Sequence, residues 1–255
     1  MRLGCAAYSY RQALQAGDLS LEAFVDECAR MGLDGVELTS YYFPETGRDY
    51  LNSLKAHCFR RGMHILGTAV GSNFAQADED AREEHVRMTC EWIDHSVILG
   101  APVMRVFAGP IPSGVAEDTA FGWALDCLRR CVDYAAKEGV VVALENHGGV
   151  TSTPAQVQKF LDALDSPWFG INLDFGNFRD DPYPGYAQIA PRTVTTHAKV
   201  TYRKGEGKEP VDYVQVAQIM QAAGYQGYIS VEYEEKDDAL AAVPRFVETL
   251  KQAFR

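Results

Sequence analysis

The chain has 255 residues, of which 47% are hydrophobic, and its formal net charge is −11 at pH 7. This size suits one large barrel or two small domains. No cluster of Lys and Arg supplies the basic surface that nucleic-acid binding requires. The acidity also disfavours binding to anionic membranes. No apolar run approaches the roughly 18 residues that a membrane span requires, and the apolar core after Met1 is too short for a signal peptide, so we expect a cytoplasmic protein.

Eight apolar stretches along the chain have the length and composition of strands, and a helix-like segment follows each. They begin near Arg2, Asp34, Met63, Pro102, Gly139, Phe169, Thr193 and Gly227, 24 to 37 residues apart. Each step fits one strand–helix unit, and eight units in this length fit a closed barrel. A doubly wound open sheet is the alternative, but no glycine-rich phosphate loop follows the first stretch. We therefore predict one domain over residues 1–255, an α/β fold that forms a single (β/α)₈ TIM barrel.

The helices between these stretches have recognisable starts and stops. Serine or Thr-Pro begins two of them, and glycine follows most of them, as expected of N-caps and C-caps. The predicted helices are Ser20–Met31, Tyr50–Arg61, Asp78–Leu99, Asp118–Glu138, Thr153–Leu164, Val211–Ala223 and Asp238–Phe254. Two prolines between 178 and 190 predict a loop and only a short helix in the sixth unit.

The last four strands each end on an acid or a histidine: Glu145, Asp174, His197 and Glu232. Barrel enzymes place their active sites at the C-terminal ends of the strands, and consecutive strands form one arc of that rim. Each residue alone is more often a salt-bridge partner, a helix cap or a core histidine. Together, three carboxylates and one imidazole predict a site for one divalent metal ion. We favour Mn²⁺, with Mg²⁺, Co²⁺ and Zn²⁺ as alternatives.

Other strand-end residues are candidates for substrate contact or support. Glu37 has two interpretations, a ligand for a substrate hydroxyl or an ion-pair partner of Arg105. Arg105 is itself either half of a barrel ion pair or a substrate contact. Lys199 is a candidate for stabilising an enolate oxygen, with a solvated loop lysine as the alternative. Three further residues are expected to line the pocket: Tyr8, Asn73 and His147.

Six segments carry a resemblance to the xylose isomerase-like TIM-barrel superfamily, and specifically to its sugar phosphate isomerase/epimerase group. They are Gly-Val-Glu-Leu (35–38), Leu-Gly-Ala-Pro-Val-Met-Arg-Val-Phe-Ala-Gly (99–109), Ala-Leu-Glu-Asn-His-Gly-Gly (143–149), Leu-Asp-Phe-Gly-Asn (173–177), Thr-His-Ala-Lys (196–199) and Gly-Tyr-Ile-Ser-Val-Glu-Tyr-Glu (227–234). The resemblance extends over essentially the whole chain. It is specific for the fold and the metal site and poor for the substrate.

The resemblance implies an isomerase or epimerase of a small sugar, keto-sugar or polyol, in which Glu145 and Glu232 bind metal and move protons through an enediolate. Two departures from the family pattern are Asn177, where many of the epimerases carry a histidine, and Val200, where an aspartate is common. Asn177 is expected to contact substrate. A dehydratase or lyase acting on a keto-sugar or inosose remains an alternative, and a non-catalytic sugar-binding barrel is a second. The sequence leaves monomer and homo-oligomer open.

Overall fold

The computed structural model describes residues 1–254. Eight parallel strands close into a barrel in the order β1-β10-β7-β6-β5-β4-β3-β2. The barrel strands are β1 (Arg2–Ala6), β2 (Gly35–Thr39), β3 (His64–Ala69), β4 (Val103–Val106), β5 (Val141–Glu145), β6 (Phe169–Asp174), β7 (Thr193–Ala198) and β10 (Tyr228–Val231). The predicted TIM barrel is confirmed, and each of these strands begins within two residues of its predicted start.

Helices surround the barrel. They are α1 (Arg11–Ala16), α2 (Leu21–Arg30), α3 (Arg48–Arg60), α4 (Glu79–Leu99), α5 (Glu117–Glu138), α6 (Pro154–Ala163), α7 (Tyr183–Ile189), α8 (Tyr213–Ala222) and α9 (Ala239–Phe254). The Ser20 hydroxyl caps α2 by accepting a hydrogen bond from the Ala23 amide, and Thr153 and Gln156 form a capping box at the start of α6. Such side chains satisfy amide groups that have no partner within the helix. None of the helices in residues 1–254 combines the length and apolarity needed to cross a bilayer.

An antiparallel hairpin between β7 and α8 was not predicted from the sequence. Its strands are β8 (Thr201–Lys204) and β9 (Gly207–Pro210), paired with each other and not with the barrel. Tyr202 is its only buried residue, and the rest are half-buried or exposed. A strand that buries almost nothing shows little hydrophobic alternation, which explains why the pattern missed it. The short helix α1 escaped prediction for the same reason, since none of its residues is buried.

Small residues in the barrel strands leave room for the long side chains of their neighbours. A Cβ on Gly4 would clash with the Leu66 side chain, and one on Gly35 would lie 2.9 Å from the His64 carbonyl oxygen. Arg105 of β4 is in register with Ala143 of β5. The barrel can therefore enclose the Arg105 side chain, which is 2% exposed.

Candidate metal centre

The four predicted ligands meet at the C-terminal end of the barrel. Glu145, Asp174, His197 and Glu232 are all buried, and each contributes one ligand atom to a group in which all atoms lie within 4.8 Å of one another. Asp174 and His197 are in register on neighbouring strands β6 and β7. Glu145 ends β5, and Glu232 directly follows β10. The order of the strands in the barrel thus brings together residues that are up to 87 positions apart in sequence.

His197 lies at the centre of this group, and its two ring nitrogens face different partners. Nδ1 is 3.2 Å from Glu145 Oε2 and 3.2 Å from Glu232 Oε2. Nε2 is 3.1 Å from both oxygens of Glu37. Burial would lower the pKa of His197, but Glu232, Glu37 and Glu145 raise it well above its ordinary value. The surroundings of Nδ1 therefore favour a positive charge, which a proton or a metal ion can supply.

The balance of buried charge also fits a divalent cation. Within residues 1–254, this group of four residues and its surroundings contain two buried cations, Arg105 and Lys199, and four buried carboxylates, those of Glu37, Glu145, Asp174 and Glu232. With a neutral imidazole, two negative charges remain uncompensated. Buried charges are costly unless they are paired or bind a metal, and carboxylates together with imidazole suit a divalent ion.

Asp174 carries the clearest sign of a missing partner. Its Oδ2 is buried and accepts no hydrogen bond from any residue the structure describes, although Lys199 Nζ is 3.4 Å away. Burial raises the pKa of Asp174 to about 7, against the opposing effect of Lys199. A metal ion bound at Oδ2 would keep this carboxyl ionised. The donor set present therefore fits the ion that the sequence predicted.

The two glutamates of the group differ in what holds them. Glu145 Oε2 accepts a hydrogen bond from Asn172 Nδ2 at 2.9 Å and lies 3.3 Å from Arg105 Nε, while Asn177 Nδ2 donates to Oε1 at 3.3 Å. Glu232 Oε2 is 2.6 Å from Lys199 Nζ. Burial opposes ionisation of both glutamates. His197 and Arg105 nevertheless hold the pKa of Glu145 below its ordinary value, and His197 and Lys199 hold that of Glu232 well below it.

Two asparagines support the ligands and were not among the predicted site residues. Besides its bond to Glu145, Asn172 Nδ2 is 3.1 Å from His197 Nδ1. Asn146 accepts a hydrogen bond from the Asp174 amide at 2.7 Å and donates one to the Asp174 carbonyl at 3.0 Å. Each is fully buried and lies one or two positions from a ligand in sequence. A buried amide so close to a strand-end acid is the signal that could have identified them.

Lys199 and His147 occupy different positions relative to the ligands. Lys199 is 5% exposed, and its Nζ lies 2.6 Å from Glu232 Oε2 and 2.7 Å from Glu234 Oε2. The alternative of a solvated loop lysine is therefore wrong. The exposed His147 ring packs on Phe107 with a centroid distance of 4.1 Å. It lines a cleft of about 630 Å³ together with Asn177.

Of the other predicted contact residues, Glu37 reaches a ligand, and Asn73 and Tyr8 do not. Glu37 contacts His197, and no ion pair within residues 1–254 joins it to Arg105. Asn73 Oδ1 is buried without a hydrogen-bond partner among the described residues. Tyr8 is half-buried, and the Arg11 guanidinium carbon lies over its ring, 5.1 Å from the ring centroid. No described hydrogen bond links Asn73 or Tyr8 to a ligand, so their contact with a substrate stays a prediction.

Solved structures with the same fold are similar to this chain at low sequence identity. Protein SMc04130 from Sinorhizobium meliloti 1021 superposes with a TM-score of 0.81 at 19% identity, covering 99% of this chain and 97% of its own. D-psicose 3-epimerase with D-tagatose from Clostridium cellulolyticum H10 gives 0.82 at 14% identity over 100% of both chains. The probable 3-DHS dehydratase AsbF from Bacillus anthracis, involved in petrobactin synthesis, gives 0.77 at 18% identity, covering 98% of this chain and 99% of its own. At these identities the likeness establishes the fold alone.

Sequence comparison gives the family but no individual relative. No curated protein matches the chain. The model of the xylose isomerase-like TIM barrel family matches residues 25–252, which is most of the chain. The matched region includes Glu145, Asp174, His197 and Glu232, which we call the metal-site group. The resemblance of the six sequence segments is thereby confirmed, and the chain belongs to the xylose isomerase-like TIM-barrel family.

Proposed function

We propose that this protein is a divalent-metal-dependent isomerase or epimerase of a small sugar, keto-sugar or polyol derivative. One observation carries the proposal: three carboxylates and one imidazole, all buried, have their ligand atoms within 4.8 Å of one another at the active-site end of a barrel. Glu145, Asp174, His197 and Glu232 would hold the ion, with Mn²⁺ favoured. The ion, when bound, would act as a Lewis acid toward adjacent carbonyl and hydroxyl oxygens of the substrate.

Glu145 and Glu232 are the proposed acid–base pair. Glu145 ends β5 and Glu232 follows β10, with β6 and β7 between these strands in the barrel. The lowered pKa of each favours a carboxylate, the form that can accept a proton from the carbon beside a carbonyl. One glutamate removes that proton to give an enediolate. The other glutamate takes a proton from solvent and delivers it, to the opposite face in an epimerase or to the neighbouring carbon in an isomerase, while the first glutamate releases its proton to solvent.

Lys199 and the cleft are assigned supporting roles. The Lys199 ammonium group, 2.6 Å from Glu232, would stabilise negative charge as it develops on a substrate oxygen. The cleft lined by His147 and Asn177 would admit the substrate from the rim. Asn177 donates to Glu145 Oε1, and the same amide is close enough to the glutamate to contact a substrate hydroxyl there.

Deuterium exchange tests the proposal. The Mn²⁺-loaded protein would be incubated in D₂O with a panel of ketoses and keto-sugars, and carbon-bound deuterium would be followed by NMR. We expect deuterium at the carbon beside the carbonyl, without loss of water, and no incorporation by Glu145→Gln or Glu232→Gln. A wild-type protein that binds no divalent ion, or glutamine variants that retain exchange, would contradict the proposal.

A dehydratase or lyase acting on a keto-sugar or inosose is the second candidate. The observation that favours it is the buried ammonium of Lys199 beside Glu232, because a cationic acid next to a base could protonate a departing hydroxyl group. The same D₂O experiment separates the two reactions. Loss of water with a new conjugated absorbance would indicate the dehydratase.

A further inference from the structure

Glu37 contacts the metal-site group from the opposite side of the barrel. It lies on β2, which is separated from β7 by β1 and β10 in the strand order. Its side chain is 1% exposed, and both carboxylate oxygens are 3.1 Å from His197 Nε2. Glu37 does not line the cleft that holds His147 and Asn177. These contacts point to a role besides the two that the sequence offered, a substrate ligand or a partner of Arg105.

The contact determines which nitrogen of His197 carries the proton. An ionised carboxylate only accepts hydrogen bonds, so Nε2 must donate to Glu37. In the neutral imidazole Nδ1 then keeps its lone pair, and this nitrogen is the one 3.2 Å from both Glu145 and Glu232. The Asn172 amide, 3.1 Å away, can donate to this lone pair, but the two carboxylates beside it remain unfavourable unless a cation lies between them. The tautomer fixed by Glu37 is therefore the one that binds a metal ion at this point.

We propose that Glu37 is a positioning residue that makes His197 an Nδ1 ligand by holding its Nε2–H. The inference rests on the metal site of the proposed function and adds a contributor to it from the other half of the barrel. A carboxylate behind a metal-binding imidazole fixes the orientation of the ring and increases its basicity. Glu37 acts in this way through His197 and is not one of the four residues that would hold the ion.

Metal titration of Glu37 variants provides the first test. Calorimetry with Mn²⁺ alone would compare the wild type with Glu37→Gln and Glu37→Leu, and the unfolding temperature of each metal-free protein would be recorded. We expect Glu37→Leu to bind Mn²⁺ about 10–100-fold more weakly, as for other supporting partners of metal ligands. Glu37→Gln keeps an acceptor oxygen and should lose less.

The matched control is Thr39→Val, on the same strand. Thr39 is fully buried, and its hydroxyl has no hydrogen-bond partner among the described residues. We expect this variant to keep the wild-type affinity for Mn²⁺. Folded Glu37→Gln and Glu37→Leu proteins that also bind Mn²⁺ like the wild type would overturn the inference.

Nitrogen NMR of the histidines provides a second test that does not need a folded variant. In ¹⁵N-histidine protein loaded with Zn²⁺, we expect His197 to carry its proton on Nε2 and the metal on Nδ1. The opposite assignment would overturn the inference and leave the metal site standing. A wild-type protein that binds neither Mn²⁺ nor Zn²⁺ would overturn both this inference and the proposed function.

Discussion

The two halves of the barrel contribute differently to the candidate site. Strands β5, β6, β7 and β10 supply all four residues of the metal-site group, whereas β1 to β4 supply none. The half formed by β1 to β4 instead contributes one anion and one cation, Glu37 and Arg105, which contact His197 and Glu145. One half is thus equipped to bind an ion, and the other holds two of the ligands in place.

This division suggests that substitutions in the two halves will have different signatures. Loss of one of the four metal-site residues would remove an atom that holds the ion directly. Loss of Glu37 or Arg105 would leave those four residues present, but poorly oriented or with uncompensated charge. Residues in the outer helices should affect stability alone. The four predictions below test this order.

The largest effect is expected from Asp174→Asn in the ligand half. The change removes the negative charge of a buried oxygen that accepts no hydrogen bond from the described residues. We expect the Mn²⁺ affinity to fall by more than the roughly 10–100-fold typical of supporting residues. Calorimetric titration with Mn²⁺ measures it, and an affinity within threefold of the wild type would contradict the division between the halves.

Arg105→Met in the other half should act mainly through stability. Removing one partner of a buried ion pair costs about 3–5 kcal/mol, because the remaining charge is left uncompensated. We expect a loss of this size in the free energy of unfolding of the metal-free protein, measured with urea. The control is Arg130→Met, which breaks the exposed pair with Glu83 and should cost below about 1 kcal/mol. Equal losses in the two variants would show that burial does not matter here.

Thr153→Ala removes the capping box at the start of α6 and lies in the outer layer. We expect a loss of about 1 kcal/mol in unfolding free energy, the usual effect of losing an N-cap hydroxyl. The affinity for Mn²⁺ should not change. A weaker affinity would mean that this helix start positions the site, contrary to the proposed separation of roles.

The smallest effect concerns Asp26 of α2, which contacts His57 and Arg61 at the end of α3. The hydrogen bond from Arg61 lowers the pKa of Asp26; burial opposes this shift, and His57 lowers the pKa further. Because the folded-state pKa is depressed, the stabilisation is present above the unfolded pKa, about 3.9, and is lost as the pH falls through the folded value. Asp26 is 44% exposed, so we expect less than about 1 kcal/mol.

Urea unfolding between pH 7 and pH 2 measures this contribution. Asp26→Asn should destabilise the protein slightly at pH 7 and have no effect at the acidic end. A difference that persists unchanged across the whole range would exclude linkage to this carboxyl.

The sequence predicted the barrel and the four metal-site residues because both depend on local patterns. Strand spacing predicts the repeat of units, and a polar residue at the end of an apolar strand such as β5 marks the rim. The partner of Glu37 could not be predicted, since it lies 160 positions away on a strand that is not a neighbour. Asn172 was missed for a related reason: its contact with Glu145 depends on side-chain packing inside the barrel. The exposed hairpin of β8 and β9 left too weak a pattern to detect.

The distance between Glu37 and His197 along the chain also bears on how the protein is made. On the ribosome, Glu37 and Arg105 are synthesised long before His197 and Glu232, the last two site residues in the sequence. Their charges can stay hydrated only while the nascent barrel is open, and β10 closes it by pairing with β1. The metal-site group can therefore be complete only after β10 and Glu232 have been synthesised. Shortening the chain before β10 would leave an open sheet with the charged side chains of Glu37 and Arg105 along its inner face, and exposed strand edges of this kind favour aggregation.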